Sequence, residues 1–351
     1  TLCSRKKIPI CWCFFTFFSI VFIVVFCNIS CLKVTFLFLY KLLMWDKYQK
    51  TLNSQVSFSG IGLHSGKKVD VTLEPTNSNS GITFKRIDLE KNNEVIANFK
   101  NVSSAKLCTK IENEFGTTVS TVEHLMAAFY ICGIDNLVVN LNGPEVPIMD
   151  GSAKNFVEII KNKGLKTLKG KRKFVKIKKV IEFKDNDKYI KVSPSNNFEV
   201  KFTLDYKNNP LIRTQTNSVN FKKKNLEDIY NARTFCLYED IEEIKSIGLA
   251  KGGSLDNAIV VQGNKILNEE GLRSEKEFVN HKILDLAGDF MLSGVRVVGF
   301  VECVHGGHAL TNKFLKKIFS EKSNYDVIES ESSSQNVRKI LPLNKRLAVN
   351  A

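Results

Sequence analysis

His281 and Asp285 stand four residues apart in His281-Lys-Ile-Leu-Asp285-Leu-Ala-Gly-Asp289. On a helix that spacing puts both side chains on one face, so an imidazole nitrogen and a carboxylate oxygen can meet at one metal ion. Asp289 falls one further turn along the same face. The pattern lacks the glutamate that follows the first histidine in H-E-x-x-H, so a third ligand and a general base have to come from elsewhere. Five histidines in 351 residues make the search short.

Two segments offer the missing parts. Ser120-Thr-Val-Glu123-His124-Leu-Met-Ala-Ala opens an apolar helix and sets a carboxylate beside an imidazole. Glu123 is a candidate base and His124 a candidate third ligand. Val-His305-Gly-Gly-His308-Ala-Leu reads as a flexible, glycine-flanked loop running into a helix around 312–319. His308 would bring a cation or a proton donor to the side opposite the base. One metal, one carboxylate and one imidazole suffice to hydrolyse an amide. Each part also has a plainer explanation. His-x-x-x-Asp is common on exposed helices. Ser120 and Glu123 match a helix capping box, which is the favoured reading of that pair alone. Gly306 and Gly307 would serve equally as a turn before a helix. The parts persuade jointly, because each supplies what the others lack.

Seven motifs occur in order along the chain: Gly-Ile-Gly-Leu-His64-Ser-Gly, Thr-Val-Glu123-His124-Leu-Met-Ala-Ala, Pro-Ile-Met-Asp150-Gly-Ser-Ala, Ala-Arg-Thr234-Phe, Gly-Gly-Ser254, His281-Lys-Ile-Leu-Asp285 and Gly-Gly-His308-Ala-Leu. Together they resemble the zinc-dependent UDP-3-O-acyl-N-acetylglucosamine deacetylase family of bacterial lipid A synthesis, over about 51–341. The resemblance implies that His124, His281 and Asp285 hold Zn2+ with one position left open, as a catalytic site requires. It implies Glu123 as the base for water, and His308, with Asp289 behind it, as the group that steadies the oxyanion or protonates the departing amine. How these two divide the work stays open at this level. Thr234 would hydrogen-bond the tetrahedral intermediate and Lys282 would lie near the substrate. Tyr206 stands where an aromatic is expected to stack on uracil, and Phe235, His305 and His64 are further substrate-contacting candidates.

The implied reaction cleaves the acetamide of UDP-3-O-acyl-N-acetylglucosamine to acetate and a free sugar amine, the committed step of lipid A synthesis. An acetamide resists neutral water, so zinc must lower the pKa of water towards roughly 7. Cys108, Cys132, Cys236 and Cys303 show no C-x-x-C spacing, which argues against a structural zinc ribbon. Cys108 sits where the family can carry a thiol near the metal, but reads more simply as a small buried residue. Two departures from the family pattern bear on affinity rather than chemistry. His305 occupies a position that usually carries lysine or arginine, and Cys236 follows Arg233-Thr234-Phe235 where glycine is usual. Two rival readings are a related zinc amidase acting on another acylated substrate and a catalytically silent, membrane-anchored nucleotide-sugar binder.

The elements that must position these groups follow from periodicity. Strand-like alternation over 56–73 surrounds a glycine-rich turn at 60–66, and 135–141 is a short β-rich run. Residues 155–161 read as a helix, and lysine-rich 166–172 as a solvated connector. Strands are expected at 174–181, 189–192 and 198–205, then a helix at 226–232. The fold class is α+β. The resemblance implies two similar β-α-α-β two-layer sandwich domains, 44–170 and 171–345, packed face to face with the zinc between them. A β-α-β insert at 234–262 would line a passage for the acyl chain with Leu237, Ile241, Ile244, Ile247 and Leu249. Helix core is the alternative for those side chains.

Charge and the N-terminus complete the reading. The net charge is +15, of which residues 1–50 hold seven cations and one anion. Ten cations and no acid lie in 161–180. With one aromatic in the run and no recognised module, nucleic acid is not an expected partner. Attraction to a diphosphate, or peripheral contact with an anionic membrane, is the functional alternative to a solvated connector. Residues 8–32 are largely apolar behind Arg5-Lys6-Lys7, with the length and flanks of a membrane span. Met44 is the first methionine, and every motif lies after it. Residues 1–43 are therefore expected to lie outside the working enzyme, which is expected to be a cytoplasmic monomer, anchored only if that segment is translated.

Overall fold

The computed structural model of the chain describes residues 46–223 and 225–330. The apolar run 8–32 and the expected start at Met44 lie outside the described residues. Among the described residues no helix is long and apolar enough to cross a membrane.

The described residues begin with β1 (Tyr48–Leu52), then form the expected strand–turn–strand from β2 (Val56–Ile61) and β3 (Lys68–Pro75). β3 buries Val69, Val71 and Leu73 at every second position, as a strand with one face on a core must. β4 (Ile82–Arg86) and β5 (Glu94–Ile96) follow, and β6 (Val102–Ser104), β7 (Lys110–Glu112) and β8 (Thr118–Val119) make a small separate sheet. Helix α1 (Glu123–Cys132) comes next and ends at Gly133, whose φ of 80° is the left-handed cap that glycine adopts without strain. Its residues are buried on every side from Glu123 to Tyr130, the signature of a central helix rather than a surface one. β9 (Leu137–Leu141) then enters a five-stranded sheet ordered β2-β3-β9-β4-β5, in which β4 and β9 run parallel. α2 (Lys154–Lys163) closes this half.

The lysine-rich connector is a strand. β10 (Leu165–Lys171) pairs antiparallel with β1, Leu165 opposite Leu52 and Lys166 opposite Thr51. Ladder bonds satisfy its backbone while its lysines stay in water, so a polar composition does not prevent pairing. β11 (Lys173–Ile177) and β12 (Ile181–Asp185) split the single strand expected over 174–181. β13 (Lys188–Ser193), β14 (Phe198–Tyr206) and β15 (Arg213–Asn220) follow, and α3 (Glu227–Tyr230) is one turn rather than the longer helix expected. β16 (Phe235–Leu237), α4 (Ile241–Ser246) and β17 (Ile259–Gln262) form a β-α-β unit with parallel strands, extended by β18 (Lys265–Ile266). None of Leu237, Ile241, Ile244, Ile247 and Leu249 is buried, so they are not a helix core.

α5 (Glu277–Met291) buries every residue except Lys282. It leads to β19 (Arg296–Val304), α6 (His308–Ser320) and β20 (Tyr325–Glu329). β19 is the spine of a seven-stranded sheet: parallel to β11 and β14, antiparallel to β13. α1 and α5 pack against each other, and an aromatic cluster fastens them to the second sheet. Tyr130 of α1 and Phe290 of α5 both meet Phe198 of β14, with ring centroids 5.2 and 5.4 Å away. Each buried phenylalanine is worth roughly 2–3 kcal/mol of transfer free energy.

A buried ion cluster ties the C-terminal end of α1 to β1 and β19. Arg172 grips Asp135 through Nε at 2.9 Å and Nη2 at 2.6 Å, and donates to the Gly133 carbonyl at 2.7 Å. Arg296 donates to the Tyr130 carbonyl at 2.9 Å and lies 3.5 Å from Asp135. The Asp135 carboxylate also accepts the Lys50 amide of β1 at 2.8 Å. Replacing Asp135 by alanine leaves two buried guanidinium groups without their shared anion. Such a loss typically costs about 3–5 kcal/mol. Urea denaturation of Asp135→Ala is expected to show a loss of that order, and a change below about 1 kcal/mol would contradict the cluster's role.

Candidate metal centre

Glu123 and His124 occupy the first turn of α1, where the chain enters in an unusual way. Thr121 is left-handed, with φ 57°, and Val122 caps the helix without a side-chain bond. The capping box does not form. Ser120 Oγ donates to the Pro144 carbonyl and Thr121 Oγ1 to Glu145. The Glu123 carboxylate is turned inward instead, and its Oε2 accepts the Thr109 amide at 3.1 Å. Opposite it lies α5. A Cβ at Gly288 would sit 2.1 Å from the Glu123 carbonyl oxygen, so only glycine lets the two backbones approach this closely.

That approach brings three ligand atoms together. His124 Nε2 and His281 Nε2 lie 3.5 and 3.4 Å from the same oxygen, Asp285 Oδ1. The ligand atoms of His124, His281 and Asp285 all fall within 4.8 Å of one another. The edge of a tetrahedron built on zinc bonds of about 2.0–2.1 Å is roughly 3.3 Å, so the spacing suits that ion. Asp285 Oδ1 is buried and has no hydrogen-bond partner, as has His124 Nδ1. An uncompensated buried carboxylate oxygen is costly, and a cation is the partner that would satisfy it. His281 Nδ1 lies 3.0 Å from the Ala232 carbonyl, which as an acceptor requires the proton on Nδ1. The lone pair of Nε2 is therefore aimed at Asp285 Oδ1. Burial pushes His281 down to about 3, keeping the imidazole neutral, the form that binds metal.

The charges around the triad are paired. Lys282 Nζ holds the other Asp285 oxygen at 2.6 Å. Burial would raise Asp285, but His281 and Lys282 outweigh it and hold the carboxyl well below its usual range. Burial opposes the Lys282 ammonium, yet Asp285 raises its pKa above the ordinary value. His308 is the first residue of α6 and only 9% exposed, not held on a flexible loop. Its Nδ1 lies 2.8 Å from Asp289 Oδ2, and Thr109 Oγ1 donates to the other Asp289 oxygen at 2.7 Å. This anchoring orders the residue in spite of the two glycines before it. His308 Nε2 faces Glu123 Oε1 at 3.7 Å and Asp285 Oδ2 at 3.9 Å. Burial lowers the His308 pKa, but Asp289 and Glu123 more than compensate and bring it up to about 9. Burial raises Glu123, and His308 and His124 pull against that rise.

The remaining candidates fall into two places. Tyr206 stacks on His305 at 6.2 Å and 20°, and meets Phe235 at 6.0 Å. Phe235 reaches towards the triad, its ring 6.4 Å from that of His281. Tyr206, His305 and Leu237 line a cavity of about 580 Å³. Thr234 is half-buried, its amide bonded to the Gly151 carbonyl at 2.8 Å. His64 belongs to a separate contact. Its backbone amide donates to Glu145, and its Nδ1 accepts from the Ala250 amide at 3.4 Å, in a loop that packs on the insert. Cys108 is buried, and burial followed by the charge of Glu123 drives its thiol to about 12, unsuited to a thiolate ligand. Sequence reasoning missed Thr109, which bonds both Glu123 and Asp289. No motif marks it, and it stands 180 residues from Asp289.

Comparison with known proteins agrees with this geometry. Residues 49–320 match the family described as LpxC, UDP-3-O-acyl N-acetylglycosamine deacetylase. A UDP-3-O-acyl-N-acetylglucosamine deacetylase from Geotalea uraniireducens is 46% identical over 283 residues, covering 80% of this chain and 92% of that protein. Those of Aliivibrio fischeri and Hamiltonella defensa are each 41% identical, over 82% and 81% of this chain and 95% and 93% of their own lengths. With its metal triad, its Glu123 and its His308–Asp289 pair assembled where α1, α5 and α6 meet, the chain belongs to the UDP-3-O-acyl N-acetylglycosamine deacetylase family.

Proposed function

We propose that this chain hydrolyses the acetamide of UDP-3-O-acyl-N-acetylglucosamine, releasing acetate and the free amine used in lipid A synthesis. The observation that carries the reading is the buried triad with the Glu123 carboxylate and the His308 imidazole beside it. His124, His281 and Asp285 would hold a zinc ion, and that ion when bound would supply the Lewis acidity needed for water to act as a nucleophile near neutral pH. Glu123 takes the proton from the attacking water. Its Oε2 is occupied by the Thr109 amide, so Oε1, the oxygen nearer His308, does this work. His308 carries a proton at neutral pH, held in place by Asp289, and so suits the acid role rather than the base. As the C–N bond breaks, Nε2–H delivers its proton to the departing amine. Thr234 would hydrogen-bond the tetrahedral intermediate, and Lys282, paired with Asp285, would lie near the substrate.

The wider architecture fits this use. The sheet of β2–β5 and β9 with α1 and α2, and the sheet around β19 with α5 and α6, are read as two β-α-α-β sandwich halves that place the zinc between them. The insert's unburied apolar side chains suit a wall for the acyl chain. The stacked Tyr206 and His305 suit the uridine diphosphate end, where the chain's lysines would also attract the anionic group. A silent nucleotide-sugar binder would have no use for Glu123 and His308 so assembled. Acetate release from UDP-3-O-acyl-N-acetylglucosamine decides between the two. Competition by UDP separates the present reading from a zinc amidase with another substrate.

Three outcomes are expected. His281→Ala should lose most bound zinc, measured by elemental analysis of the folded protein, and activity with it. A stoichiometric metal content in a folded His124→Ala/His281→Ala protein would overturn the ligand set. Glu123→Ala should keep its zinc yet turn over about 10²–10⁴-fold more slowly. The rate should also follow a bell in pH. The imidazolium of His308 persists below its raised pKa and is lost above it, so the alkaline limb falls at or below about pH 9, since a bound cation lowers that pKa further. The acid limb rises as Glu123 loses its proton. An alkaline limb unchanged in His308→Ala would remove His308 from the acid role.

A further inference from the structure

The mechanism leaves unused a further buried charge cluster, one turn before His281 on the same face of α5. Glu277 is fully buried, and so is Arg233, which is 1% exposed. Arg233 Nε donates to Glu277 Oε1 at 2.9 Å, its Nη2 donates to the Gly271 carbonyl at 2.6 Å, and its Nη1 pairs with Glu270. Glu277 also accepts two backbone amides, those of Arg233 at 3.1 Å and Arg273 at 2.6 Å.

One of those amides is the informative one. The Arg233 N–H belongs to the same peptide group as the Ala232 carbonyl, and that carbonyl is the acceptor for His281 Nδ1. A single planar peptide is thus held at its N–H end by Glu277 and offers its C=O end to His281, four residues later on α5. Because the trans peptide is rigid, with N–H and C=O pointing in opposite directions, fixing one end aims the other. The guanidinium of Arg233 in turn fixes the carboxylate that does the fixing. We infer that Glu277 and Arg233 are positioning residues: through the Ala232–Arg233 peptide they set the ring orientation and the tautomer of His281. The inference rests on the reading of His281 as a zinc ligand. Groups that orient a metal-binding histidine through its second nitrogen typically change metal affinity by about 10–100-fold.

Zinc affinity by chelator competition, with circular dichroism and melting to establish folding, tests this separately from turnover. Arg233→Met/Glu277→Leu replaces the buried pair by apolar groups of similar size, a change that folds often tolerate. It should bind zinc about 10-fold or more weakly while keeping a native spectrum. Arg233→Lys, which keeps the charge but not the fork, should fall between it and the wild type. A folded double variant with wild-type zinc affinity would show the pair to be merely structural. The metal-free wild-type protein gives an answer that does not depend on any variant folding. Long-range 1H–15N spectra should show His281 with its proton on Nδ1 and protected from exchange, and a mixture of tautomers there would overturn the inference. Should the wild type itself fail to bind one zinc, or His281→Ala bind it normally, the ligand assignment is at fault and not the positioning.

Discussion

α1 and α5 meet backbone to backbone at Gly288, and that contact sets the distance on which the metal centre depends. His124 comes from one helix and His281 and Asp285 from the other, yet their ligand atoms lie within 4.8 Å. A side chain at 288 would meet the Glu123 carbonyl oxygen at 2.1 Å and push the helices apart. Close packing makes such a displacement expensive, because both helices are buried and cannot slide independently of the aromatic cluster around Phe198. The Arg172–Asp135–Arg296 cluster holds the far end of α1 against β1 and β19. The three ligand atoms are therefore placed by packed helices and not by loops.

Bringing the helices together concentrates charge as well as ligands. Glu123, Asp285 and Asp289 are all buried within one small region, against the Lys282 ammonium and the His308 imidazole. Such a concentration of carboxylates in low dielectric is costly, and Asp285 Oδ1 has two imidazole nitrogens nearby but no hydrogen-bond donor. A dication resolves this tension. The same crowding shifts the two groups beside the triad by opposite means: the neighbouring carboxylates raise His308 against its burial, while burial raises Glu123 against its two histidines.

Much of this centre was legible in the chain. The spacing His281, Asp285, Asp289 is local, and a helix of 3.6 residues per turn translates it directly into one face. Glu123 and His124 are neighbours, so one helix start delivers a candidate base and a candidate ligand together. The hairpin over 56–73, the helix near 155 and the strands of the second half were likewise carried by alternation and apolar periodicity. Other features were not. The lysines of β10 resemble a solvated linker because a ribbon exposed to water needs no apolar face. The capping box at Ser120 satisfies its pattern in sequence but is undone by the left-handed turn at Thr121. His308 looked mobile beside two glycines, and is ordered by Asp289 from another helix.

The sequence by itself determined which atoms could bind the metal and which could move protons, because those properties belong to residue types and to spacings along one helix. Only the tertiary structure decided that Thr109 joins Glu123 to Asp289, that Glu277 and Arg233 stand behind His281, and that Tyr206 and His305 stack beside a cavity while His64 does not join the cluster. Periodicity fixes an angle about a helix axis. The distance between helices is set by side chains far apart in the chain, by one glycine at the crossing, and by a carbonyl whose direction no side chain reveals.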